Sequence, residues 1–168
     1  MDNAILSASL EDYLEAILHI VAEKQAARAK DIATRLRVHS SSVTQALQSL
    51  SQKGLVNYAP YDLITLTPRG TEAAKSVVRR HETLRDFFVK ILSVDKDIAD
   101  ETACKMEHSL VLPILGRLIH FMEFVEACPR AGSTWLDGFR YYCEHEDIQG
   151  CCEPCISSCL EEVRKERQ

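Results

Sequence analysis

A chain of 168 residues with 46% hydrophobic content suits one or two compact domains with a real core. No apolar run approaches a membrane span and the start "MDNAILSASLEDY" lacks the basic region and apolar core of a secretory signal, so a cytoplasmic protein is expected. The formal net charge of −5 argues against a nucleic-acid partner only if the charge is evenly spread. It is not: from Lys24 to Val56 six basic residues, Lys24, Arg28, Lys30, Arg35, Arg37 and Lys53, face Asp31 alone. A basic segment set in an acidic chain reads as a localised phosphate-contacting face.

Leu10, Leu14, Ile17, Leu18 and Val21 recur at helical spacing and predict an amphipathic helix over about Ser9 to Glu23, with Glu11, Asp12 and Glu15 on its polar side. A shorter helix follows around "AKDIATRLRV". "HSSS" then offers N-cap hydroxyls to a third helix, "SVTQALQSLSQKG", closed by Gly54. Two short helices joined by a tight polar turn, the second rich in Ser, Thr and Gln, form a helix-turn-helix pattern. Leu55 to Tyr58 and Leu63 to Thr67 are β-prone runs flanking "APYD", which predicts a hairpin, the wing of a winged helix.

Thr67 and Pro68 supply an N-cap and a first-turn proline for a long helix through about Leu92. A fifth helix is expected over about Asp95 to Leu110, and Pro113 restarts the chain into "ILGRLIHFMEFVEAC". That last helix is apolar over much of its surface and is expected to pack against a second subunit. From Cys128 onward the composition changes, and six of the seven cysteines fall there. The expected organisation is mainly α: a winged helix-turn-helix over residues 1–70, a helical dimerisation domain over 71–127, and a small Cys-rich segment over 128–168.

Cysteines in a reducing compartment favour metal or redox chemistry over a disulfide framework. In "CKMEH", Cys104, Glu107 and His108 stand at i, i+3 and i+4, spacing that brings a thiol, a carboxylate and an imidazole to one helical face. Ala103, Met106 and Leu110 fall on another stripe that can pack the core. Asp12 and Glu15 form an i, i+3 pair on the first helix, and His81 sits on the long one. These six S, N and O donors suit a first-row transition ion rather than calcium or magnesium. Taken singly each has an ordinary structural role, so spacing alone leaves the two readings level.

Residues Ser9 to about Glu126 resemble the iron- and manganese-dependent repressors of the diphtheria toxin repressor and manganese transport regulator family. The pieces "SLEDYLEAI", "VHSSSVTQALQSLSQKGLV", "LTPRG", "VVRRHETL" and "CKMEHSL" carry the likeness in order and spacing. The resemblance implies a homodimeric, winged-helix transcriptional repressor, not an enzyme, that binds operator DNA when a divalent ion is held between the first helix and the dimerisation helices. It implies metal ligation by Asp12 and Glu15, as in manganese-type members, by His81, Glu107 and His108, shared across the family, and by Cys104, as in iron-type members. A thiolate is softer than a carboxylate, which makes Fe(II) the expected ion and Mn(II) the alternative. The iron-type ancillary site is not matched: Arg85 and Asp100 stand at two of its ligand positions, and guanidinium cannot ligate.

The start of the third helix is expected in the major groove, with Ser40, Ser41, Ser42, Thr44 and Gln45 near DNA and Gln45 suited to an adenine edge. Arg28, Lys30, Arg35, Arg37 and Lys53 are expected to hold phosphates, at least two of them being ordinary solvated surface. In the tail, Cys152, Cys155 and Cys159 form a CxxCxxxC run that with Cys143 makes a candidate zinc site or iron–sulfur cluster, Cys128 and Cys151 standing in reserve. An alternative function follows from it, a winged-helix regulator that senses redox state or an iron–sulfur cluster through the tail.

Overall fold

The computed structural model describes residues 6–59, 63–127 and 133–146. The chain divides into two compact units, Met1–Arg80 and His81–Gln168.

In the first unit, α1 (Ala8–Lys24) opens on Ser7, whose hydroxyl accepts from the Leu10 amide, and closes on Gln25 in a left-handed conformation. Next, α2 (Ala29–Leu36) ends on a left-handed Arg37, and the turn to α3 (Ser40–Gln52) takes only three residues. The expected serine cap is absent. His39 occupies the N-cap and makes no side-chain cap, because Ser40, Ser41 and Ser42 already lie inside the helix with their side chains exposed. The other end of α3 follows the reading of Gly54: with φ +69°, its N–H donates to the Ser51 carbonyl while the Leu55 N–H donates to Leu50, a paired Schellman closure. Leu14, Ile17, Ile32, Leu47, Leu50 and Ile64 are fully buried and fuse the three helices and the hairpin into one core.

The hairpin pairs β1 (Val56–Asn57) antiparallel with β2 (Thr65–Leu66), Val56 opposite Leu66. An isolated bridge from Ala27 to Ile64 ties the returning strand to the α1–α2 connection. The wing tip, residues 60–62, lies outside the described residues. Thr67 then caps α4 (Pro68–Asp86): its hydroxyl accepts from the Gly70 amide at 3.0 Å and donates to the Gly54 carbonyl at 2.8 Å. Gly70 is obligatory, since a Cβ there would lie 1.8 Å from the Leu55 carbonyl oxygen. Arg80 of α4 pairs with Glu11 of α1 at 2.6 Å in a mostly buried ion pair.

In the second unit, α4 runs into a π-helical turn (Phe87–Ile91), where a long regular helix through Leu92 was expected. Asp95 then caps α5 (Lys96–Met106) by accepting from the amides of Asp97 and Ile98. The predicted continuous helix to Leu110 does not form: Glu107–Ser109 tighten into a 3₁₀ turn, and α6 (Leu112–Ala127) follows. Met106, expected in the core, is 46% exposed. Phe87 packs against Phe88 and against Phe121 of α6. Finally α7 (Ser133–His145) carries Arg140, which donates to the Ser93 hydroxyl. Among the described residues no helix is long and apolar enough to cross a membrane.

Candidate metal centre

The second unit buries one acidic side chain completely. Glu107 has no solvent exposure, and its two carboxylate oxygens have different fates. Oε2 lies 2.7 Å from Nδ1 of His81, and Oε1 is buried with no hydrogen-bond partner. Nε2 of His108 lies 3.4 Å from that oxygen, without hydrogen-bond geometry. A buried carboxylate oxygen left without a donor is costly unless a cation completes it. Carboxylate oxygen and imidazole nitrogen converging at that point are a suitable donor pair for a divalent transition ion, so the residues fit the metal that the sequence resemblance implies.

A 3₁₀ turn, Glu107–Ser109, carries this pair. The three members of "CKMEH" differ in burial: Glu107 is fully buried, His108 is largely covered, and Cys104, on α5, is exposed.

His81 lies between two carboxylates. Its Nδ1 faces Glu107, and its Nε2 stands 3.1 Å from Oδ1 of Asp100 on α5. The hydrogen bond to Glu107 raises its pKa from 6.5 to about 9, against the opposing effect of burial and with further support from Asp100. At neutral pH the metal-free imidazole is therefore a cation, with both nitrogens donating. Sequence reading placed His81 on the long helix and missed Asp100 as its partner. The usable signal was the charge reversal at that position, where a carboxylate stands in place of an ancillary-site histidine.

In the first unit, Asp12 and Glu15 occupy adjacent turns of α1 and are half-buried, Glu15 lying 3.6 Å from His19. Glu11, on the same polar side, is engaged by Arg80. On α3 the side chains of Ser40, Ser41, Ser42, Gln45 and Gln48 are exposed and Thr44 half-exposed, opposite the buried Val43, Ala46, Leu47 and Leu50. This is an unobstructed polar face on the second helix of a helix-turn-helix, the geometry that reads a major groove. Arg28, Lys30, Arg37 and Lys53 are also exposed, whereas Arg35 is paired with Glu23 at 2.9 Å and Lys24 with Asp31 at 2.8 Å. The Lys24 hydrogen bond holds the Asp31 carboxyl below its ordinary range. Of the tail thiols, Cys143 is exposed on α7; Cys128, Cys151, Cys152, Cys155 and Cys159 lie outside the described residues.

Comparison with known proteins agrees with both units. Residues 5–63 match the family described as iron dependent repressor, N-terminal DNA binding domain, and residues 67–136 match iron dependent repressor, metal binding and dimerisation domain. An uncharacterized HTH-type transcriptional regulator of Methanocaldococcus jannaschii is 43% identical over 119 residues, 70% of this chain and 95% of that protein. The HTH-type transcriptional regulator MntR of Bacillus pumilus is 37% identical over 118 residues, 70% of this chain and 81% of that protein. Among solved structures, a manganese-dependent transcriptional repressor in complex with manganese superposes with TM-score 0.61 at 29% identity, covering 68% of this chain and 53% of that one. The IdeR of T. acidophilum does so with TM-score 0.63 at 28% identity, covering 76% and 60%. The chain thus spans little more than half the length of these two structures. It belongs to the iron-dependent repressor family and is a metal-dependent transcriptional repressor of the diphtheria toxin repressor and MntR type. The matched regions end at residue 136, so the thiols from Cys143 onward lie beyond them.

Proposed function

We propose that the chain acts as a cytoplasmic homodimer that binds double-stranded operator DNA when Fe(II) is held by Asp12 and Glu15 of the first unit and His81, Cys104, Glu107 and His108 of the second. The observation that carries this reading is the buried Glu107, with an unpartnered Oε1 beside His108. Once bound, the ion supplies the positive charge that lets carboxylates from both units share one centre. Glu107 and His108 fix that centre to the dimerisation helices, and Asp12 and Glu15 tie α1 to it. Since α1 packs in the same core as α3, restraining α1 restrains the recognition helix. Gln45 meets a base edge, the Ser40–Ser42 hydroxyls meet the DNA backbone, and Arg28, Lys30, Arg37 and Lys53 supply salt-sensitive phosphate contacts. Arg35, already engaged by Glu23, contributes least of the basic set.

The exposed apolar side chains of α6, among them Leu112, Ile114, Phe121 and Phe124, support self-association through that helix. Support for Fe(II) over Mn(II) comes from Cys104, whose thiolate is the one soft donor in the set. Anaerobic titration of operator binding tests the choice: Fe(II) is expected to activate at lower free-metal concentration than Mn(II), and Cys104→Asp to reverse the order. Activation of the unaltered protein by Mn(II) at lower concentration would contradict it.

A further inference from the structure

Asp100 is not among the ligands proposed above, yet it makes one of the two polar contacts of His81. It sits on α5 one turn before Cys104, and its Oδ1 is 3.1 Å from Nε2 of His81, while Nδ1 of the same ring is 2.7 Å from Glu107. The result is a carboxylate–imidazole–carboxylate chain, exposed at the Asp100 end and sealed at the Glu107 end. We propose that Asp100 is a positioning residue of the metal centre, its carboxylate holding the Nε2–H of His81 so that Nδ1 is presented toward Glu107 and the ion. This rests on the reading of Glu107 and His81 as part of that centre.

A neutral imidazole has one N–H, and the nitrogen that keeps it is set by the hydrogen bond at that nitrogen. Without metal, each ring nitrogen of His81 has a carboxylate acceptor, Glu107 at Nδ1 and Asp100 at Nε2. Ligation through Nδ1 would require the proton there to leave to solvent, and the Asp100 carboxylate would keep the remaining N–H on Nε2. A carboxylate behind a ligating histidine also makes the ring a stronger donor and fixes its plane, and losing such a partner costs about 10–100-fold in metal affinity. Without Asp100 the ring keeps only its contact to Glu107, which can favour the opposite tautomer by retaining the proton on Nδ1.

Co(II) is the appropriate probe, because its visible bands report the donor set independently of DNA binding. Asp100→Ala is expected to weaken Co(II) affinity by about 10–100-fold while leaving band positions as in the unaltered protein. Asp100→Asn, which keeps an acceptor oxygen but not the charge, is expected to fall between them. In the metal-bound state, the imidazole ¹⁵N resonances of His81 should show a protonated Nε2 in the unaltered protein and a mixed or reversed pattern in Asp100→Ala. Unchanged affinity and unchanged ¹⁵N resonances in Asp100→Ala would overturn the inference, as would shifted Co(II) bands, which would make Asp100 a ligand itself. Glu107→Gln, measured in parallel, separates the two levels. If it abolishes Co(II) binding while Asp100→Ala does not weaken it, only the role of Asp100 falls; if it too leaves binding unchanged, the metal centre falls with it.

Discussion

The two units solve opposite problems. The first closes its core on itself: six large aliphatic side chains from α1, α2, α3 and the hairpin are excluded from water, and the mostly buried Arg80 and Glu11 pair with each other. The second leaves Leu112, Ile114, Phe121 and Phe124 of α6 between 41% and 67% exposed, while burying the carboxylate of Glu107 entirely. Apolar surface outside and a charge inside are both unfavourable for an isolated domain. On the proposed reading each is relieved by something that binds, a second copy in one case and a cation in the other. The first unit would then be a self-sufficient reading head and the second one completed by its partners.

The contrast can be broken first at Gly70. Adding a Cβ there drives it into the Leu55 carbonyl, which is itself held by the Thr67 amide, so neither side can yield cheaply. Gly70→Ala should destabilise the protein by about 3 kcal/mol, seen as a lower denaturant midpoint, whatever metal is present. A variant as stable as the unaltered protein would mean that the hairpin–α4 junction is looser than described.

A smaller effect is expected where the second unit waits for its copy. Phe124→Asp should weaken dimerisation by about 2 kcal/mol or more, read by sedimentation at micromolar protein, with the fold of the first unit retained. An unaltered dimer would place the interface elsewhere.

The subtlest difference is in pH response. His81 has its folded pKa raised to about 9, so in the metal-free protein its contribution to stability is complete below about pH 6.5 and is lost as pH rises through about 9. Denaturation of the metal-free protein should therefore show lower stability at pH 9.5 than at pH 6.5, and His81→Gln should flatten that difference. A profile in His81→Gln matching the unaltered protein would assign the slope to other groups.

Periodicity and turn chemistry made the first unit legible almost throughout. The helical stripe of α1, Gly54 closing α3, the paired β-prone runs and Thr67–Pro68 opening α4 each correspond to an observed feature. The serine cap failed because a run of three hydroxyl residues does not say which of its members, if any, is the cap. In the second unit the donors were legible as residue types, but their arrangement was not. No local signal in "CKMEHSL" encodes the 3₁₀ turn at Glu107–Ser109 or shows that Glu107 is buried while Cys104 is exposed. The Asp100–His81 contact joins residues 19 apart on different helices and has no periodic signature.

The central claim is that a divalent ion completing the buried Glu107–His108 pair turns on DNA binding. It is tested most directly by measuring operator affinity against free Fe(II) and Mn(II), anaerobically, for the unaltered protein and for Glu107→Gln. The account predicts a steep metal-dependent rise in affinity for the former, and for the latter an intact dimer whose affinity stays at its metal-free level. A Glu107→Gln protein activated over the same metal range as the unaltered one would contradict it.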